Sequence, residues 1–227
     1  MKLRIQICSD LEWESAKLTL KIKRNELQRQ PFGEYFACAF GQHEYICYHS
    51  GATKTKAAAA CQFAIDTWHP DAIVNLGTCG GVSKKVKNSD IILAKRTFQY
   101  DVMQRFGNPS VRFMRGLKTN LDISWVDLSR VKGKIYIGTI ASADQDIDDE
   151  HWGQLEGNKV LAADWESASI AKICGLNKVK CLILRGITDI PKKQISLIRD
   201  IQHNDYKKNT PIIVRELFSI IAQMEFR

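Results

Sequence analysis

The chain has 227 residues, with 33 lysines and arginines against 25 aspartates and glutamates, a formal charge of +8. Hydrophobic residues make up 44% and charged residues 26%, ordinary globular proportions that exclude disorder, a collagen-like fibre and a coiled-coil rod. No apolar run reaches the eighteen residues of a membrane span, and the first stretch turns acidic at Asp10, too early for a secretory signal.

In chain order, Leu3, Ile5 and Ile7 alternate and predict a first strand. Further strands are expected at 18–23, 34–40 and 43–49. Residues 53–68, Ala-rich and free of Gly and Pro, predict a helix that His69-Pro70-Asp71 ends. DAIVNLG at 71–77 has the almost wholly apolar character of a strand buried on both faces, and a turn is expected at Gly77, Gly80 and Gly81. Strands follow at 91–94 and 134–142, while 100–133 has no clear pattern. VLAAD at 160–164 leads into a helix at 165–174, and VKCLILRGI at 179–187 reads as a buried strand. An amphipathic helix with Pro211 in its first turn closes the chain at 211–224. Strands alternating with helices predict a single α/β domain over residues 1–227.

The basic residues are dispersed and do not interleave with aromatics, so the charge reads as a solvated surface rather than a nucleic-acid footprint. The seven cysteines include no CxxC and fit reduced thiols of a cytosolic protein. No His or Cys spacing fits a metal site, and 144–155 fails as a calcium loop because Asp149 replaces the required Gly and Leu155 the bidentate Glu.

In α/β proteins, polar groups just beyond buried strands tend to form the site. Four such places occur: Asp10, Glu12 and Glu14; Thr78, Cys79 and Gly80; Asp164, Trp165 and Glu166; and Arg185 with Asp189. Each has a purely structural alternative. The glycines can serve a tight turn, Asp164 and Glu166 can cap a helix, Arg185 and Asp189 can pair with each other, and Glu12 and Glu14 can be surface acids. A nucleophilic Cys79 would need a His partner that no spacing indicates.

LEWESAKL (11–18), HSGATKTKAAAA (49–60), PDAIVNLGTCGGV (70–82), GTIASADQDI (138–147), LAADWESASIA (161–171) and ILRGITDI (183–190), in this order, resemble the purine nucleoside phosphorylase and nucleosidase superfamily. The similarity is strongest to its 5′-methylthioadenosine/S-adenosylhomocysteine nucleosidases. It implies a three-layer α/β/α sandwich with a central mixed sheet, a homodimer in the cytoplasm, a nucleoside as the small-molecule partner and no cofactor. It also implies roles for residues. Asp189 would protonate the purine N7, Glu166 would hold the ribose hydroxyls and Glu12, or its neighbour Glu14, would activate water. Thr78, Cys79 and Gly80 would line the nucleoside, the Ile147 backbone would contact the base, Trp165 would lie beside the sugar and Arg185 would support the acidic ribose site. Two positions depart from the pattern: Asp146 replaces an aromatic that stacks on the base, and Trp165 replaces a Met.

Phosphorolysis would need basic groups for a phosphate dianion. The phosphorylases of the family carry an Arg where this chain has Asn75, and a Gly-Asp-Pro segment where it reads CSDLEWES. Hydrolysis is therefore the expected reaction. A phosphate-dependent enzyme and a nucleoside-binding protein without turnover are the alternatives.

Overall fold

The computed structural model describes residues 1–104, 106–147, 149–190 and 197–227. The chain opens with β1 (Leu3–Ile7), α1 (Asp10–Leu20), β2 (Gln28–Gln30), β3 (Gly33–Phe40), β4 (His43–His49) and α2 (Lys54–Trp68). It continues through β5 (Ala72–Gly81), β6 (Ile91–Gln99), α3 (Val111–Gly116), β7 (Lys118–Asn120), β8 (Val126–Asp127), β9 (Ile135–Ser142) and α4 (Asp149–Gly157). Last come β10 (Val160–Asp164), α5 (Ser167–Asn177), β11 (Lys180–Asp189), α6 (Leu197–Gln223) and β12 (Glu225–Phe226).

The principal sheet is mixed, in the order β10-β9-β6-β11-β5-β1-β4-β3-β2. β10 also pairs with the end of β5, so β5, β10, β9, β6 and β11 close into a small ring. α1 and α6 cover one face, where Trp13, Ile213, Leu217 and Ile221 pack on Ile5, Val74 and Leu184. α2 and α5 cover the other. α2 buries Ala57, Ala60, Cys61, Ala64 and Ile65, the spacing of one helical face, against Ile170, Ala171 and Cys174 of α5. The result is the expected three-layer α/β/α arrangement.

Three local expectations are overturned. Residues 18–20 end α1, and Lys21 closes it in a left-handed conformation with its N–H on Leu18 O, so no strand forms at 18–23. A helix started by the Ser9 cap runs through Leu18 and Leu20 instead, leaving Leu18 exposed. Pro211 lies inside α6 rather than in a first turn. The helix passes through it because buried Ile213, Leu217 and Ile221 hold one side and Asn209 Nδ2 donates to Thr188 O at 2.8 Å. The glycines of 77–81 form no turn: all five residues belong to β5, and none of the three takes a positive φ.

Candidate active site

Glu12 arrives by a local rule. Ser9 caps α1, its hydroxyl accepting the Glu12 N–H at 3.3 Å, while Glu12 Oε2 accepts the Ser9 N–H at 3.1 Å, a reciprocal capping box. This fixes the carboxyl so that Oε1 meets β5, where it accepts from the Thr78 N–H at 2.6 Å and the Thr78 hydroxyl at 2.7 Å. Glu12 is buried, whereas the Glu14 side chain is 62% exposed and pairs with Lys17. Of the two acids, geometry brings only Glu12 into the cluster.

Arg185, fully buried on β11, organises the centre. Its Nε lies 2.6 Å from Asp164 Oδ2 and donates to Ser167 Oγ at 3.0 Å. Nη2 donates to Asn75 Oδ1 at 2.7 Å and stands 3.6 Å from Glu166 Oε2. Nη1 is buried without a hydrogen-bond partner. The supposed Arg185–Asp189 pair is therefore replaced by Arg185–Asp164. The capping alternative divides in the same way. Asp164 Oδ1 accepts from the Ser167 N–H at 3.2 Å and from the Ser142 hydroxyl at 2.5 Å, so Asp164 is the helix-opening acid. The Glu166 side chain makes no cap, and its Oε1 accepts from the Thr53 N–H at 3.2 Å.

One buried cation thus faces three carboxylates. Burial pushes the Glu166 carboxyl well above the usual range; Arg185 opposes this, and Asp164 and Glu12 reinforce it. For Arg185, burial works against the charge, but Asp164, Glu12 and Glu166 outweigh it and hold the guanidinium firmly protonated.

Asp189 is the last residue of β11. The pairing with β5 slips between Ile187↔Cys79 and Asp189↔Gly80, leaving Thr188 as an extra residue. Such a bulge re-aims the side chain that follows it. Asp189 Oδ1 accepts from the Thr188 hydroxyl at 2.7 Å. Burial raises its pKa, the Thr188 bond opposes this, and the charges of Asp205 and Asp146 raise it further.

Gly80 lies opposite both Asp189 and Ala163, so the ends of β5, β10 and β11 meet there. The Cys79 thiol donates to Gly186 O at 3.6 Å, and burial, then the charge of Asp164, push it well above the usual thiol range, which disfavours the nucleophilic thiolate. Trp165 is 39% exposed, and half-buried Ile147 packs against the cluster of Tyr100, Ala141 and Leu155. No local sequence pattern marks Ser142 and Ser167 as site residues or matches Asp164 to Arg185. The S-x-x-E run at 9–12 was the readable signal that fixes Glu12 over Glu14.

The sequence profile of the phosphorylase superfamily matches residues 7–224. The chain belongs to the phosphorylase superfamily. Among its relatives in this superfamily is a 5′-methylthioadenosine/S-adenosylhomocysteine nucleosidase of Tolumonas auensis, 26% identical over 83% of this chain and 86% of the relative. An aminodeoxyfutalosine nucleosidase of Campylobacter jejuni is 27% identical over 68% of this chain and 72% of its own. The structure of the Helicobacter pylori 5′-methylthioadenosine/S-adenosylhomocysteine nucleosidase superposes with a TM-score of 0.80 over 97% of both chains at 19% identity, which shows the common superfamily fold.

Proposed function

We propose that this member of the phosphorylase superfamily hydrolyses the N-glycosidic bond of a purine nucleoside, releasing the free base. The observation that carries the reading is the division of three carboxyl groups around one strand-end cluster. Glu12 is fixed by donors on both oxygens, Glu166 is held by Arg185 and Thr53, and Asp189 stands apart with a raised pKa. In this reading Asp189 gives its proton to N7, so the purine leaves neutral; such general acid catalysis is worth ~10²–10⁴ in rate. Glu166 accepts hydrogen bonds from the ribose hydroxyls and so positions the sugar. Glu12 takes a proton from the attacking water, and the unpartnered Nη1 of Arg185 offers a donor to hold that water. Thr78, Cys79, Gly80 and Ile147 line the nucleoside, with Trp165 at the sugar side.

The names of the relatives support an adenine nucleoside with a 5′ substituent, such as 5′-methylthioadenosine or S-adenosylhomocysteine. Asn75 supports water over phosphate as the acceptor. It is buried, with Oδ1 on Arg185 and Nδ2 on Gln6 O at 3.0 Å, and is committed to the scaffold. A homodimer in the cytoplasm completes the reading. Met103, Phe106, Val111, Phe113 and Met114 expose a run of large apolar side chains around α3, with Phe106 88% exposed, as a face covered by a second copy would. Seven unpaired cysteines suit a reducing compartment.

A panel of purine nucleosides, incubated with and without phosphate and resolved by chromatography, tests the reading. Free base and free sugar should form without phosphate; accumulation of ribose 1-phosphate only when phosphate is present would identify a phosphorylase, and tight binding with no base release a binding protein.

A further inference from the structure

The start of α2 carries an ion-paired ring that the chemistry above does not use. Lys54 Nζ donates to both oxygens of Asp101, at 2.5 and 2.6 Å, and lies 3.9 Å from Asp144 Oδ2. The Lys54 backbone N–H donates to Asp144 Oδ1 at 2.7 Å, and the Asp144 N–H donates to Asp101 Oδ2 at 2.9 Å. The three residues tie α2 to the segments that follow β6 and β9. The side chains of Lys54 and Asp101 are each 15% exposed, which shields the pair from the solvent that weakens surface ion pairs.

The residue beside this ring is under backbone strain. Thr53 has φ 86° and ψ 152°, a region essentially reserved for glycine. Its side chain makes no capping bond that would hold it there. Yet this conformation is the one in which the Thr53 N–H reaches Glu166 Oε1 at 3.2 Å. Residue 54 is fixed on two sides, by its ammonium on Asp101 and by its own N–H on Asp144. The peptide joining residues 53 and 54 is therefore clamped at its nitrogen.

We propose that Lys54 is a positioning residue for Glu166: the Lys54–Asp101–Asp144 ring holds Thr53 in its positive-φ conformation and so keeps the Thr53 amide on the carboxyl group that binds the ribose. The assignment of ribose to Glu166 rests on the nucleoside-hydrolase reading. When the ring is broken, Thr53 relaxes towards an ordinary backbone region, its amide leaves Glu166, and the carboxylate loses a donor that orients it.

Lys54→Met removes the charge and keeps the length of the stem. The KM for the cleaved nucleoside should rise by about three- to tenfold, the range for loss of one hydrogen bond that orients the carboxyl. Inhibition by the free purine should stay within about twofold, because the base does not touch Glu166. Adding Thr53→Gly to Lys54→Met should restore most of the nucleoside KM, since glycine takes this backbone conformation without strain. Lys54→Arg, which keeps charged donors for Asp101, should lose little. Hydrogen exchange at the Thr53 amide gives a readout independent of turnover. It should be protected in the parent, at least about tenfold faster in Lys54→Met, and protected again in the double variant. A Lys54→Met protein with a lower melting temperature but an unchanged ratio of nucleoside KM to base inhibition, or a double variant without recovery, would overturn the assignment. If the parent cleaves no nucleoside, the functional reading falls, while the exchange rates still decide whether the ring holds Thr53.

Discussion

Arg185 lies against the bare Cα of Gly77: a Cβ on residue 77 would stand 1.8 Å from Arg185 Nη1 and 2.8 Å from Glu12 Oε1. The glycine is required by a neighbour, not by its own backbone. It leaves a gap through which the guanidinium reaches Asn75, Asp164 and Glu166 in the interior of the sheet.

Gly77→Ala should therefore act at a distance of one side chain. The methyl group displaces Arg185 and leaves Asp164 and Glu166 buried without their cation, a loss typically of ~3–5 kcal/mol for a broken buried pair. A melting temperature that falls by several degrees with turnover reduced alongside it is the expected outcome. A variant with parental stability and activity would mean that Arg185 can be seated elsewhere at no cost.

The same glycine shows where the sequence was legible and where it was not. Strands β5 and β11 were readable because both faces are buried, which forces continuous apolar runs, and α2 because its alanines repeat at helical spacing. The polar ends of those strands were readable for the same reason: a carboxylate beside an apolar run stands out. Pairing was not. Arg185 and Asp189 are four residues apart on one strand and look like partners, but the bulge at Thr188 turns Asp189 away, and Asp164 reaches Arg185 from β10. Such a match depends on how β10 crosses the end of β5, which no local pattern encodes. Glycine poses the same difficulty, since a gap for a side chain and a tight turn use the same residue.

Glu12→Gln tests the base. The amide keeps the shape and can still accept from Thr78, but its NH₂ group meets the Ser9 N–H and forfeits half of the capping box. A modest stability loss of ~0.5–1 kcal/mol is expected from the cap. Turnover should fall at least ~10²-fold, the low end for general base catalysis, with nucleoside binding retained. Glu14→Gln, which removes only an exposed partner of Lys17, should leave turnover at the parental level. The reverse pattern would transfer the role to Glu14.

Glu166→Gln separates binding from stability through pH. Burial first, then the neighbouring acids, raise the folded-state pKa of Glu166 despite Arg185. Between the unfolded and folded pKa values the native state holds more protons than the unfolded chain, so this group lowers stability as pH rises through that window. Glutamine cannot ionise, and it can still accept from the Thr53 N–H. The variant should match the parent near pH ~4, where the unfolded carboxyl is largely protonated, and melt higher than the parent at and above neutral pH. Nucleoside affinity should nevertheless fall above the raised pKa of Glu166, where the parent presents a carboxylate and a neutral amide is the weaker acceptor for two hydroxyls. Melting curves across pH, with nucleoside and free-base affinities on the same protein, provide the check. A variant less stable than the parent at every pH would show that the Arg185–Glu166 contact outweighs the cost of burying the charge.

Asp189→Asn makes the cleanest distinction, because the structure has removed the ion pair that would have explained Asp189 without catalysis. Arg185 is already paired with Asp164 and hydrogen-bonded to Ser167 and Asn75, so replacing Asp189 leaves no buried cation stranded. Asparagine also keeps an oxygen for the Thr188 hydroxyl. The melting temperature near neutral pH should hold or rise, since the raised pKa of Asp189 means that its ionised form is disfavoured in the folded protein. Turnover at saturating nucleoside should drop by ~10²-fold or more, because the amide cannot deliver a proton to N7. In the parent, activity should decline as pH rises through the raised pKa of Asp189, and the residual activity of the variant should lose that alkaline limb. A variant that melts lower yet turns over at the parental rate would reduce Asp189 to a structural residue and require another proton donor for the departing base.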